Sequence, residues 1–268
     1  MISILAALGL LLPPAGVPTS AGADTLQFSG RGGQLDVQAP RFESPNIGVD
    51  GRLDEPEWQD AAVLTGFTQY TPVEGLEASQ RTEVRVFYAA DAIYFGIRAY
   101  DSQPDQILAL LSERDRSSFG SDWVRLMIDT FDDRRQAYAF FVNPHGIQTD
   151  GLWQESLQPM GGPTGPKVDF NPDYIWDSQG RVVDDGWVAE IRIPFVSIRF
   201  PDSEVQNWGL QVARGVTRND FKSSWAPLTQ DITNVLSQGG RLLGLRGLRP
   251  KRLVEINPVV TGKLDGAR

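Results

Sequence analysis

Cysteine is absent from the 268 residues, and histidine occurs once, at His145. The first absence excludes disulfides, a thiol nucleophile and thiolate metal sites, and the second excludes a multi-histidine zinc or iron centre. Positive charge is scarce as well. Against 34 Asp and Glu stand 25 Lys and Arg, a net charge of −9, which repels phosphate backbones and excludes nucleic acid as a partner. The apolar run from Ile2 to Leu12 is too short to cross a bilayer by the criterion of roughly 20 residues. No G-x-S-x-G elbow occurs, and His145 in Asn143-Pro144-His145-Gly146 reads as a turn residue rather than a catalytic base.

What is present is ordinary globular material, 41% hydrophobic and 22% charged, enough for one large β-sandwich or two small domains. Residues 1–23 read as an export signal: the apolar run is followed by Pro13-Pro14 and by Ala21-Gly22-Ala23, an A-x-A cleavage pattern, although no Lys or Arg precedes it. Residues 24–44, rich in Gly and Gln, read as a linker or lead-in. From there a period of two takes over. Val84, Val86 and Tyr88 alternate with Glu83, Arg85 and Phe87, and after a tight connection Ile93, Phe95 and Ile97 alternate with Tyr94, Gly96 and Arg98. The pattern returns at Val124, Leu126 and Ile128, at Tyr138, Phe140 and Val142, at Trp187, Ala189 and Ile191, and at Trp208, Leu210 and Val212. Many strands joined by polar turns predict an all-β chain folded as an antiparallel β-sandwich of immunoglobulin-like or jelly-roll-like type. One short helix is expected at Asp54–Ala62, where Pro56 stands near the start and its missing N–H costs nothing. The loop at 159–166 (PMGGPTGP) is a surface excursion within the same domain.

The opening Val49-Asp50-Gly51-Arg52-Leu53-Asp54-Glu55 with Trp58, the stretches Thr82–Asp101 and Ser121–Asp129, and the closing Ser224-Trp225 and Gly240–Gly244 resemble, in order and spacing, family 9 carbohydrate-binding modules. The resemblance covers residues 45–247 and implies a sugar-binding β-sandwich in the setting of carbohydrate catabolism, associated with enzymes that hydrolyse O-glycosyl bonds. A narrower resemblance rests on Asp129–Arg134, on Phe141–Pro144 with Gly146, Gln148 and Asp150, and on Gly186-Trp187, Glu190 and Ile193-Pro194-Phe195. It is to a subgroup in which the domain precedes an outer-membrane β-barrel region. Residues 248–268 are then expected to begin that region with a single strand. The chain is expected in the periplasm, outer membrane or cell surface. The alternative is a domain of a barrel protein that binds no sugar.

Modules of this family hold a pyranose between two aromatic rings, because its C–H faces suit a π-system and its hydroxyl rim needs convergent donors and acceptors. The resemblance assigns one clamp position to Phe119 and the other to Thr233, which is not aromatic, and sets Arg125 where the family has a glutamate that reads hydroxyls. Trp123 on the outer face of its strand, and Trp153 and Trp176 on either side of the 159–166 loop, are the further candidates for contact with saccharide. Trp187, Trp208 and Trp225 fit the core. Asp50, Asp54, Asp129 and Asp132 are candidate oxygen ligands for calcium, which the family often carries, though their spacing is not that of an EF-hand. A glycosidase needs two opposed carboxylates; Glu155, Asp169 and Glu190 are available, but no spacing pairs them, and Glu190 in mid-strand is expected to be solvated or paired near Arg192.

Overall fold

A computed structural model describes residues 26–115, 120–160 and 165–248. The described strands run in chain order as β1 (Gln27–Ser29), β2 (Asp36–Val37), β3 (Ala62–Thr65), β4 (Thr68–Thr71), β5 (Thr82–Tyr88), β6 (Ala92–Tyr100), β7 (Trp123–Asp129) and β8 (Gln136–Val142). They continue as β9 (Gln148–Gln154), β10 (Val168–Asp169), β11 (Asp177–Val183), β12 (Gly186–Pro194), β13 (Val205–Val216), β14 (Phe221–Ser224) and β15 (Gly240–Arg246). The one α-helical turn among the described residues, α1 (Pro56–Gln59), carries Pro56 at its start and Glu57 in its first turn, where the exposed N–H groups favour an acid.

The strands form two sheets. The first has the order β1-β3-β5-β6-β12-β11; the second has the order β10-β9-β8-β7-β13-β14-β4, with β15 also paired to β13 and β2 to β15. The expected all-β sandwich is therefore present. Most pairings are antiparallel, while β1 with β3 and β2 with β15 are parallel. Those two pairings also change the reading of residues 24–44, which give one strand to each sheet and bury Val37 completely. Strands of two or three residues are too short to carry a period-2 signal, so they read as lead-in.

Alternation decides the core. Val84 faces Ile97 and Val86 faces Phe95 in the β5–β6 register, and all four join Val124, Leu126, Ile128, Phe140, Leu210 and Val212 between the sheets. Trp187, Trp208 and Trp225 are fully buried there, as expected. Each sheet also buries part of its outer face. On the first sheet, Trp58 of α1 packs against Phe87 and Phe87 stacks on Tyr94. On the second, Met127, Ala139, Phe141 and Trp153 lie under Val168 and Leu236, brought there by the β9–β10 segment and the β14–β15 connection. This second cover builds the site.

Candidate ligand-binding site

Because β7 alternates, Val124, Leu126 and Ile128 point inward and Trp123, Arg125 and Met127 point to the outer face. Arg125 is paired across β7 with Ala213 on one side and Phe141 on the other. Beside Arg125, between this face and its covering loops, a cavity of about 390 Å³ opens, within the range of small-molecule sites. Tyr70 from β4 and Trp153 from β9 give it aromatic walls, Leu228 and Ile232 line it further, and Thr229, Gln230 and Thr233 bring polar groups. Gln230 is fixed by its side-chain bond to the Tyr70 carbonyl (3.1 Å) and by a backbone N–H bond to Glu74 (2.8 Å).

The charges lining the cavity are unequal in their partners. Lys167 Nζ donates to Glu155 Oε2 (3.0 Å), to the Glu155 carbonyl (3.3 Å) and to the Thr233 carbonyl (3.1 Å), so its three donors are used. Glu155 Oε1 in turn accepts the Trp153 indole N–H (3.0 Å) and the Leu236 backbone N–H (2.9 Å). This pair neutralises itself while pinning three segments of the cover together. Arg125 is only 6% exposed, its Nε is sealed off without a hydrogen-bond partner, and no ion pair reaches it among the described residues. Its guanidinium lies instead 4.7 Å from the Trp153 ring centre and 5.8 Å from those of Trp123 and Phe141. Burial pushes Arg125 below its ordinary pKa, while Tyr70 and Glu155 oppose that fall. Burial also pushes the Tyr70 phenol up, so it remains a neutral hydroxyl. Moving a cation out of water costs several kcal/mol; a cation–π contact returns about 0.5–2 kcal/mol. The rings only partly offset the burial.

Another arginine nearby shows the contrast. Arg214, paired with Val124 on the inward face, is 1% exposed and donates to the Arg81 carbonyl (2.9 Å) and Thr82 Oγ1 (3.1 Å), with Asp101 at 3.8 Å. Asp101 also takes a two-pronged bond from Arg218 at 2.8 Å for each prong. Arg214 also keeps its Nε and Nη2 without a hydrogen-bond partner, but it is given a carboxylate, a carbonyl and a hydroxyl; Arg125 is given rings and a cavity.

Of the residues expected to touch a ligand, Arg125 and Trp153 line the cavity, as does Thr233 at the second clamp position. Trp123 does not line it. Its ring lies across Gly215, where a Cβ would meet it at 2.3 Å, and sits edge-on to Phe141. Trp176 is a correction: it is buried in the inter-sheet core, where it packs on Phe140 and donates its indole N–H to Asp150 Oδ1 (2.9 Å), and it cannot stack on a ligand there. Phe119, residues 1–23, expected to be an export signal, and residues 249–268 lie outside the described residues. Tyr70, Lys167, Leu228 and Gln230 were not expected. They come from a strand end and two loops, where no periodicity announces a site.

The acidic candidates have other roles. Asp50 Oδ1 accepts the Arg52 N–H (3.0 Å), and Asp54 is exposed beside Arg52. Asp129 accepts the Phe131 and Arg134 N–H groups (3.1 and 2.7 Å) and so closes the β7–β8 turn, in which Asp132 takes a positive φ of 50°. Among the described residues no group of three or more His, Asp or Glu side chains comes together in a way that could hold a metal ion. Glu190 is a further correction. It is fully buried; Oε2 accepts the N–H groups of Asp50 (2.8 Å), Gly51 (2.8 Å) and Arg52 (3.3 Å), and Oε1 that of the Trp58 indole (3.1 Å). It is covered because α1 lies over the outer face of the first sheet. Glu155 and Asp169 belong to the second sheet's cover, Asp169 accepting both N–H groups of Asn171, so the three carboxylates do not converge.

No protein-family profile and no curated protein sequence matches the chain. Solved structures do. A family 9 carbohydrate-binding module of Caldicellulosiruptor kristjanssonii in complex with cellotriose superimposes with a TM-score of 0.51 at 15% identity, covering 82% of this chain and 99% of the module. Its complex with glucose gives 0.52 at 14% identity over 81% and 98%. A Bacteroides uniformis protein whose proposed role is carbohydrate binding gives 0.55 at 9% identity over 78% and 98%. At these identities the likeness is one of fold: the chain is a β-sandwich similar in fold to these structures.

Proposed function

We propose that the chain binds a saccharide in the cavity on the outer face of its second sheet. The observation that carries this reading is the composition of that cavity, in which Tyr70 and Trp153 stand beside the fixed amide of Gln230 and the hydroxyl side chains of Thr229 and Thr233. Ring faces and hydrogen-bonding groups side by side match the two surfaces of a pyranose. Two further points support it. Arg125 and Thr233, which the sequence resemblance assigns to the binding region, both line the cavity, and structures of the same fold are complexes with cellotriose and glucose. With the leader-like 1–23 segment, the reading is of an exported recognition module acting in carbohydrate breakdown beside hydrolases of O-glycosyl bonds.

The test is a glycan array followed by calorimetry on the 268-residue chain, beside Tyr70→Ala. Saturable binding by the unaltered chain, weakened at least about fivefold by the loss of a wall aromatic, is the expected result. A folded chain that binds no glycan would overturn the reading in favour of a protein-binding domain.

A further inference from the structure

Resting on the saccharide reading, we infer that the ligand is an acidic saccharide whose carboxylate, that of a uronate unit, seats against Arg125. Among the described residues three charged side chains line the cavity: Arg125, Lys167 and Glu155. The latter two use their donors and acceptors on each other and on neighbouring groups, so one positive charge is left over. Its owner is 6% exposed and has no hydrogen bond or ion pair among the described residues, whereas Arg214 on the opposite face of the sheet has both. The guanidinium lies among the rings of Trp153, Trp123 and Phe141 at the cavity wall, and no described residue accepts a hydrogen bond from its N–H edge. That edge is a planar fork of donors and accepts nothing.

A neutral sugar hydroxyl placed there would satisfy one prong and leave the charge uncompensated. A carboxylate satisfies both prongs and the charge together. One unpaired cation also selects a singly charged group over a doubly charged phosphate. The net charge of −9 means that the chain as a whole does not attract anions, so selectivity for an acid has to arise locally.

The experiment is calorimetry on the 268-residue chain with uronate oligosaccharides, each measured beside its methyl ester, its neutral hexose counterpart and a sulfate-ester analogue, and repeated with Arg125→Gln. In at least one set the free acid binds about tenfold or more tighter than ester and hexose, and Arg125→Gln abolishes that preference. The ester comparison uses the unaltered chain, so it stands even if the variant does not fold. Esters and neutral sugars that bind as well as the acids overturn the inference and leave the saccharide reading intact, and so does a preference for sulfate over carboxylate. Failure of every member of every set to bind removes both.

Discussion

The Arg125 guanidinium lies 4.7 Å from the centre of the Trp153 ring, and the two side chains wall the same cavity. A cation held by rings and not by a carboxylate is an expensive way to build a sandwich. Replacing a buried charge by an apolar side chain of similar length is often neutral or stabilising, by about 1–4 kcal/mol. Arg125→Met is therefore expected to unfold in urea at a midpoint equal to or above that of the unaltered chain. A variant weakened by 2 kcal/mol or so would instead make Arg125 a structural group.

The Lys167–Glu155 pair should behave oppositely. The two side chains are 14% and 10% exposed and meet at 3.0 Å, and Glu155 also holds Trp153 and Leu236. Lys167→Met leaves that carboxylate without its cation and is expected to cost roughly 3 kcal/mol. Adding Glu155→Gln should recover part of the loss, with a coupling on the order of 1–3 kcal/mol in a double-mutant cycle. Purely additive losses would mean that the two groups do not support each other.

Gly215→Ala tests how the aromatic surround of Arg125 is held. An added Cβ would sit 2.3 Å from the Trp123 ring, and an indole packed against Phe141 has no flexible end with which to yield. The expected cost is about 1–3 kcal/mol in thermal unfolding, together with weaker binding of any ligand seated against Arg125. Unchanged stability would show that Trp123 does not rest on Gly215 in solution.

The sandwich was legible in sequence because its evidence is local: Val84, Val86, Phe95 and Ile97 alternate on strands of seven and nine residues joined by a tight turn. The same alternation puts Trp123 and Arg125 on the outer face. It could not say what covers that face, since Lys167, Leu228 and Leu236 arrive by chain-distant loops. Trp176 was misread because beside a Pro-rich loop it carries no period, and its burial depends on Phe140 and Asp150 across the sheet.

Glu190 was misread for a related reason, and its burial has a consequence in pH. Mid-strand acids on an outer face are usually wet, but α1 lies over this one. Burial outweighs the backbone N–H bonds that Glu190 accepts and pushes its carboxyl above the ordinary value of 4.5. For an acid with a raised folded pKa, the folded state holds the proton longer than the unfolded state. The stabilisation is then fully present below pH 4.5 and is lost as pH rises through the folded pKa. Glu190→Gln cannot titrate, and its amide NH2 faces the Trp58 indole N–H as donor to donor, at a cost of about 1 kcal/mol. Urea unfolding across a pH series should show the unaltered chain ahead of the variant by most at the acid end, with the gap narrowing toward neutral pH. Two other buried acids, Asp122 and Asp129, are raised by burial too, but they are common to both proteins and cancel in the difference. A gap that widens with pH would mean that the N–H groups of Asp50, Gly51 and Arg52 hold the carboxylate more strongly than burial opposes it.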